Sequence, residues 1–408
     1  MSDPRPRGRR ASGPRAFARH GRLRRSNPWL AAVKYVAAAM AVVLVSGASV
    51  AGYAVWNLES GIKTVAIVGE TEGPPPALGA YDGGFNILLV GSDRCEDPKG
   101  CKDRQANLND VTILLHVSQD QTNAVAVSFP RDLVVPIPSC PNPKGGSYHA
   151  MSAQPINVTL FYGGLPCTVL TVSALTGLDI QFAAEVSFSG VARISTAIGG
   201  VRVCVNGPVI DHYSGLTLPK AGEYTLEGQK ALAFLRTRHG VGDGSDLGRI
   251  SNQQVFLSSL VRMVKDGGVL NDFGKLYNIA TVASKNLIVS NSLKNVMTMV
   301  SMAQVLKKLP LQNVMFVQYP GVTGQPGVYL GKVAPVTSMA NALFDKIKAD
   351  QPFALEVGNT GLGSVKDPNA PAPTPDPSAS PAAPGSLEVL PGIKGQSAAD
   401  YTCSKANS

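Results

Sequence analysis

The sequence contains no GxSxG, no HExxH and no GxxxxGK[ST]. These absences exclude a nucleophile-elbow hydrolase, a zincin peptidase and a P-loop nucleotidase in their usual forms. CxxC and HxxxH spacings are also missing, which removes the common zinc frameworks. Histidine is scarce, at five in 408 residues, and only His239 lies beside a group of arginines. A lone loop histidine is more often structural or solvated than catalytic. Acid is almost missing from the first 34 residues, where Asp3 faces ten basic side chains. Charge of either sign then disappears from Tyr35 to Leu58.

These last two gaps predict topology. An uncharged run of that length crosses a hydrocarbon core of about 30 Å as a helix, the form that satisfies its own backbone. Trp29 and Tyr35, then Tyr53 and Trp56, suit the two interfacial belts. The expected layout is a cytoplasmic basic segment (1–34), a transmembrane helix (35–58) and an extracytoplasmic stalk (59–84) that opens with the strand candidate KTVAIVG. The localisation that follows is a single-pass protein of the cell membrane with its N-terminus cytoplasmic. A cleaved signal peptide is the competing reading, given the small residues at 48–51, but the n-region is long for one.

The formal charge of +9 belongs to that tail, because residues 1–34 already sum to it. The remainder is neutral and carries no broad footprint for nucleic acid. All six cysteines follow the anchor, in a compartment where disulfides persist. Cys95 and Cys101 bracket a tight segment and suggest a local bridge. Cys140 and Cys167 flank a loop-rich stretch, and Cys403 is placed to tie the tail back.

From Phe85 to about residue 352, short apolar runs alternate with helical spacing. FNILLVG (85–91), DVTILLHVS (110–118) and NAVAVSFP (123–130) read as buried strands, the last two joined by the turn QDQT. CTVLTVSALTGL (167–178) reads as a helix closed by Gly177. FAAEVSF and VRVCV are strand-like, and SGVARISTAIGG between them is helical. Such alternation indicates an α/β domain whose central sheet is covered on both faces. Residues 353–408, rich in Pro, Ala and Ser over 366–386, are expected to be a largely disordered tail.

Within this domain, charge is delivered repeatedly to the ends of apolar runs. Asp93 follows LLVGS and Asp110 opens the next strand. Two carboxylates at neighbouring strand ends suit one Mg²⁺, which takes one or two carboxylates plus phosphate oxygens; a turn or cap role is the plainer alternative for each. Arg131 and Asp132 close the strand SFPRD. If FLRTRHG is extended, Arg236 and Arg238 share a face. Arg249 and Gln253, four apart on a helix, share another. Converging arginines make forks suited to pyrophosphate, whereas each arginine alone would suit a surface ion pair. Arg262, farther along the same helix, is expected to stand clear of substrate and to tolerate substitution.

The segments NILLVGSD (86–93), NDVTILLHVS (109–118), SFPRDLVVPIP (128–138), INVTLFYGG (156–164), IGGVRVCV (198–205) and ALAFLRTRHGVGDGSDLGRISNQQ (231–254), in this order, resemble the LytR–CpsA–Psr family of cell-envelope glycopolymer ligases. The resemblance implies a three-layer α-β-α sandwich with a central mixed sheet over residues 85–352 and an apolar groove for a polyprenyl chain. It implies transfer of a glycan from an undecaprenyl-pyrophosphate donor at the membrane to a peptidoglycan acceptor. Carried onto this chain, Asp93 and Asp110 become the Mg²⁺ ligands. Arg131, Arg236, Arg238, Arg249 and Gln253 bind the pyrophosphate, and Arg131, Asp132, Arg249 and Gln253 form the catalytic group. Two basic positions common in the family are Leu108 and Pro155 here, and Lys102 or Arg104 are the candidate replacements. A polyprenyl-pyrophosphate-binding scaffold or sensor and a pyrophosphatase are the alternative functions.

Overall fold

The computed structural model describes residues 28–70, 81–94, 107–266, 272–371 and 387–407. The chain divides into two compact units, Met1–Ala54 and Val55–Ser408. Helix α1 spans Pro28–Gly61 and is long and apolar enough to cross a membrane, a test that a signal sequence also passes. It extends beyond the expected span at both ends, starting at Pro28 and closing at Gly61. A second helix of similar hydropathy, within Ile156–Thr176, is half buried among other elements and belongs to the core.

The second unit is built on an eight-stranded mixed sheet. In chain order its strands are β1 (Lys63–Val65), β2 (Phe85–Ser92), β3 (Asn109–Val117), β4 (Ala124–Phe129), β5 (Phe182–Ser187), β6 (Leu287–Ser290), β7 (Val314–Gln318) and β8 (Gly395–Ser397). Across the sheet they run β1-β6-β5-β2-β3-β4-β7-β8. β2, β3 and β4 are antiparallel neighbours, while β2 pairs β5 and β4 pairs β7 in parallel.

Side chains alternate across this sheet, as strand geometry requires. Leu88, Val90, Leu114, Val125 and Val127 face one core with α2 (Thr159–Thr176) and α8 (Thr337–Lys348). Phe85, Ile113, Val117, Ala124 and Ala126 face the other, against α5 (Asp246–Asp266) and α7 (Val296–Lys308). The result is the three-layer α-β-α sandwich. α3 (Phe188–Ile198), α4 (Gly228–Arg236) and α6 (Phe273–Asn286) complete the helices. Gly177 caps α2 in the left-handed conformation, as the sequence predicts.

Two boundaries differ from the sequence reading. In the stalk, the strand candidate KTVAIVG forms as β1 and pairs with β6, but Ile67 is buried in the core, so this part is not a spacer. The C-terminal segment is not a largely disordered tail, because residues 387–407 complete the domain. β8 forms the sheet edge on β7, and a further strand, Thr402–Ser404, pairs with Val201–Val205. Cys403 is bonded there to Cys204, and Cys140 to Cys167. Strands of three residues carry too little local pattern to be read, and gain their stability from the edge they complete and the crosslink that holds them. The expected Cys95–Cys101 bridge lies outside the described residues.

Candidate active site

The site starts at a bulge. β2 and β3 pair Gly91 with Val111 but Ser92 with Asn109, which leaves Asp110 as the extra residue. A bulge of this kind re-aims a side chain, and here it releases Asp110 from the regular alternation. Gly91 permits the close approach, since a Cβ there would lie 3.0 Å from Val111 Cβ. One step beyond, the Asp93 amide donates to Leu108 O at 3.1 Å, and the Leu108 amide donates to Asp93 Oδ1 at 2.7 Å. Asp93 and Asp110 thus occupy adjacent strand ends, as expected. Their hard oxygen donors fit Mg²⁺, and the neighbouring Asn107 Oδ1 is buried without a hydrogen bond.

The turn after β4 supplies Arg131 and Asp132. Arg131 Nη1 contacts Asp110 Oδ1 at 2.5 Å, and its Nε lies 3.6 Å from Asp132 Oδ2. Burial disfavours the Arg131 charge, but Asp110, Asp132 and Asp246 outweigh it and raise its pKa. The turn is fixed from behind, because its Arg131 carbonyl accepts from the Asn157 amide at 3.2 Å.

The remaining cations come from α4, the loop after it and α5. Ser245 caps α5 by accepting from the Gly248 amide at 3.2 Å. That cap sets Asp246 in the first turn and Arg249 one turn later. Asp246, whose side chain is only 4% exposed, is the hub. Its Oδ1 forms an ion pair with Arg249 Nη2 at 2.6 Å and accepts from Arg238 Nη2 at 2.8 Å, and its Oδ2 accepts from the Arg131 amide at 2.8 Å. Burial works against this carboxylate, yet Arg249, Arg238 and Arg131 hold it below the usual carboxylate range. Arg249 also donates to Asp110 O at 2.8 Å, and burial pulls its own pKa down. Arg238 reaches Asp132 Oδ2 at 3.2 Å.

Despite this pairing, Nε of Arg131, of Arg238 and of Arg249 is buried and makes no hydrogen bond. Three guanidinium groups therefore hold their partners at one side and retain a donor each. Beside one of them, Arg249, lies an apolar cavity of about 190 Å³. Leu89, Val111, Val186, Leu232, Leu235 and Leu257 contribute its walls, while Asp110, Arg236, Arg249 and Gln253 supply polar lining.

The structure departs from the sequence reading at several residues. Arg236 and Arg238 do not share a strand face. Arg236 is the last residue of α4 and stacks over Phe188 at 4.7 Å, while Arg238 follows the extended Thr237 and turns to the acids. Gln253 lines the cavity with Arg249, as one helical face requires, and donates to Leu235 O at 2.8 Å. Arg262 stands apart from the cluster but is not an indifferent surface residue. It is buried and donates to Ala398 O and Asp400 O, both at 2.8 Å. Lys102 and Arg104 lie outside the described residues.

Sequence reasoning missed Asp246 and Asp211. Asp246 had a signal, its i,i+3 spacing to Arg249 at a helix start. Asp211 had none: it is brought from a distant hairpin to accept from Thr237 Oγ1 at 2.7 Å and the Arg238 amide at 3.0 Å.

A model of the LytR_cpsA_psr family matches residues 58–346. Cell wall biosynthesis protein LcpA of Corynebacterium glutamicum is 31% identical over 268 residues, 59% of this chain and 51% of that protein. The chain thus spans about half the length of that relative. Polyisoprenyl-teichoic acid–peptidoglycan teichoic acid transferase TagT of Bacillus subtilis is 27% identical over 325 residues, 77% of this chain and 92% of that protein. Among solved structures, the LytR-Csp2A-Psr enzyme from Actinomyces oris matches with a TM-score of 0.51 at 21% identity, covering 70% of this chain and 95% of that one. A protein of Streptococcus agalactiae matches with a TM-score of 0.54 at 18% identity, covering 66% and 89%. At these identities the structural likeness is one of fold.

Proposed function

Because the chain belongs to the LytR_cpsA_psr family, matched over residues 58–346, we propose that it is a membrane-anchored phosphotransferase. In this reading it moves a glycopolymer from an undecaprenyl-pyrophosphate carrier to peptidoglycan. The observation that carries the reading is the set of three buried Nε–H donors on Arg131, Arg238 and Arg249, the last of which lines an apolar cavity. A buried donor without an acceptor is costly, and a phosphate oxygen is a fitting acceptor for a guanidinium. An apolar cavity next to such donors suits a ligand whose anionic head carries a hydrocarbon tail. TagT of Bacillus subtilis, named as a polyisoprenyl-teichoic acid–peptidoglycan teichoic acid transferase, agrees in class.

The chemistry is phosphoryl transfer. A sugar hydroxyl of the acceptor forms a bond to the sugar-linked phosphorus, the bond to the bridging oxygen breaks, polyprenyl phosphate leaves, and the hydroxyl proton is released to solvent. Arg131, Arg238 and Arg249 hold the phosphates and offset the charge that develops on their oxygens. Asp246 and Asp132 fix those guanidinium groups, so little reorganisation accompanies the reaction. Arg236 and Gln253 orient the head group at the cavity mouth. Asp93 and Asp110 would hold Mg²⁺, which supplies further charge neutralisation when bound. In the topology that goes with this activity, the basic N-terminal segment is cytoplasmic and the Val55–Ser408 unit extracytoplasmic.

The test uses the full chain in detergent with a short-chain lipid-pyrophosphate glycan, with and without peptidoglycan. Attachment of glycan to peptidoglycan is expected. Phosphate release without attachment would indicate a pyrophosphatase, and binding without turnover would indicate a scaffold or sensor.

A further inference from the structure

We propose that Lys332 is a phosphate-binding residue of this site, delivered from the C-terminal half of the domain; the inference rests on the phosphotransferase reading and deepens it. Lys332 is about 200 residues from the turn it meets, yet its position there is built. The turn at Gly331, with φ +66°, closes as the Lys332 amide donates to Tyr329 O at 2.9 Å. The next amide, of Val333, donates to Asp132 O at 3.0 Å, and Val333 O accepts from Val134 at 3.0 Å. The loop is therefore sewn to the backbone of the very turn that presents Arg131 and Asp132.

The side chain follows the backbone. Lys332 Nζ lies 3.6 Å from Asp132 Oδ1, while the other oxygen of that carboxylate serves Arg238 and Arg131. At 3.6 Å the pair is an ion pair beyond hydrogen-bond reach, so the ammonium donors are not consumed by Asp132. Lys332 is also more open than the arginines paired with the acids: its side chain is 40% exposed, against 28% for Arg131, 24% for Arg238 and 5% for Arg249. The buried arginines are fixed by their partners, whereas a lysine stem on the rim can swing toward an arriving anion.

Charge balance gives the reason for a cation there. Three carboxylates, Asp110, Asp132 and Asp246, meet the three arginines Arg131, Arg238 and Arg249. That set is neutral, and Lys332 tips it positive at its open side. An anion approaching from solvent meets this charge first.

The test measures binding of inorganic pyrophosphate to the full chain by calorimetry, with Lys332→Met and Lys332→Arg beside the unsubstituted protein. Lys332→Met should bind about fivefold to tenfold more weakly, as expected for a half-exposed charge. Its thermal midpoint should be unchanged, and Lys332→Arg should restore binding. With lipid-linked donor, the loss should fall mainly on KM. Equal affinity in Lys332→Met and the unsubstituted protein would overturn the inference alone. An unsubstituted protein that does not bind pyrophosphate would overturn the phosphate reading itself, and the inference with it.

Discussion

At the scale of single residues, the site is held by Asp246. Its carboxylate is almost fully buried and meets Arg238, Arg249 and the Arg131 amide. Removing one partner from such a group leaves the others uncompensated and costs about 3–5 kcal/mol. The pH dependence follows from the depressed pKa of Asp246. Its stabilisation is fully present above the ordinary carboxylate pKa of about 4 and is lost as pH falls through the lower folded value. Asp246→Asn should therefore lower the thermal midpoint at neutral pH and flatten its decline on the acid side. An acid limb as steep as that of the unsubstituted protein would show that another carboxylate controls it. The individual site residues were legible unevenly. Asp93, Asp110 and Arg131 announce themselves at strand ends, because a buried apolar run leaves its first polar residue at the sheet rim. Arg236 and Arg238 misled, because the alternation rule applies only if the chain is extended, and α4 persists to Arg236.

At the scale of elements, the C-terminal segment has a larger role than its composition suggests. The backbone of residues 405–407 pairs with the loop after Arg238. Gly242 donates to Lys405 O at 2.9 Å and Asn407 donates to Gly240 O at 3.0 Å. Nearby, Gly363 packs so closely on Gly248 at the start of α5 that a side chain there would strike the Gly248 carbonyl. Arg262 pins the same segment from α5, through two carbonyls and the Tyr401 ring at 4.5 Å. Arg262→Ala should accordingly cost about 3 kcal/mol, since hydrogen bonds to a charged group are lost and two carbonyls left without it. Chemical denaturation reads this directly. A variant as stable as the parent would mean that the segment is held by the Cys204–Cys403 bond alone. The central strands were readable because each is a nearly continuous apolar run. The C-terminal strands were not, because their partners lie far away in sequence and nothing local marks them.

At the scale of the whole molecule, charge is segregated along the chain. The basic excess lies in the first 34 residues, the apolar helix follows, and the remainder is neutral overall. Under the proposed topology, a reporter fused after Ser408 should be active only on the outer side of the membrane. A reporter active in the cytoplasm would reverse the orientation. The fold class was accessible from sequence because alternating strands and helices admit few layered arrangements. The cavity was not, because its walls come from β2, β3, β5, α4 and α5, and no single segment displays them together.

The central claim is that three arginines spend their orphaned Nε–H groups on the phosphates of a lipid-linked donor. The direct test is the rate of glycan transfer to peptidoglycan in Arg131→Lys, Arg238→Lys and Arg249→Lys, with Arg193→Lys as the control outside the cluster. Lysine keeps the positive charge for Asp110, Asp132 and Asp246 but removes the planar fork and its Nε–H. Each of the three should lose about a hundredfold in kcat, the cost of one preorganised donor, while Arg193→Lys retains the parent rate. Parent rates in all three lysine variants would contradict the account, because charge alone, without the forks, would then suffice.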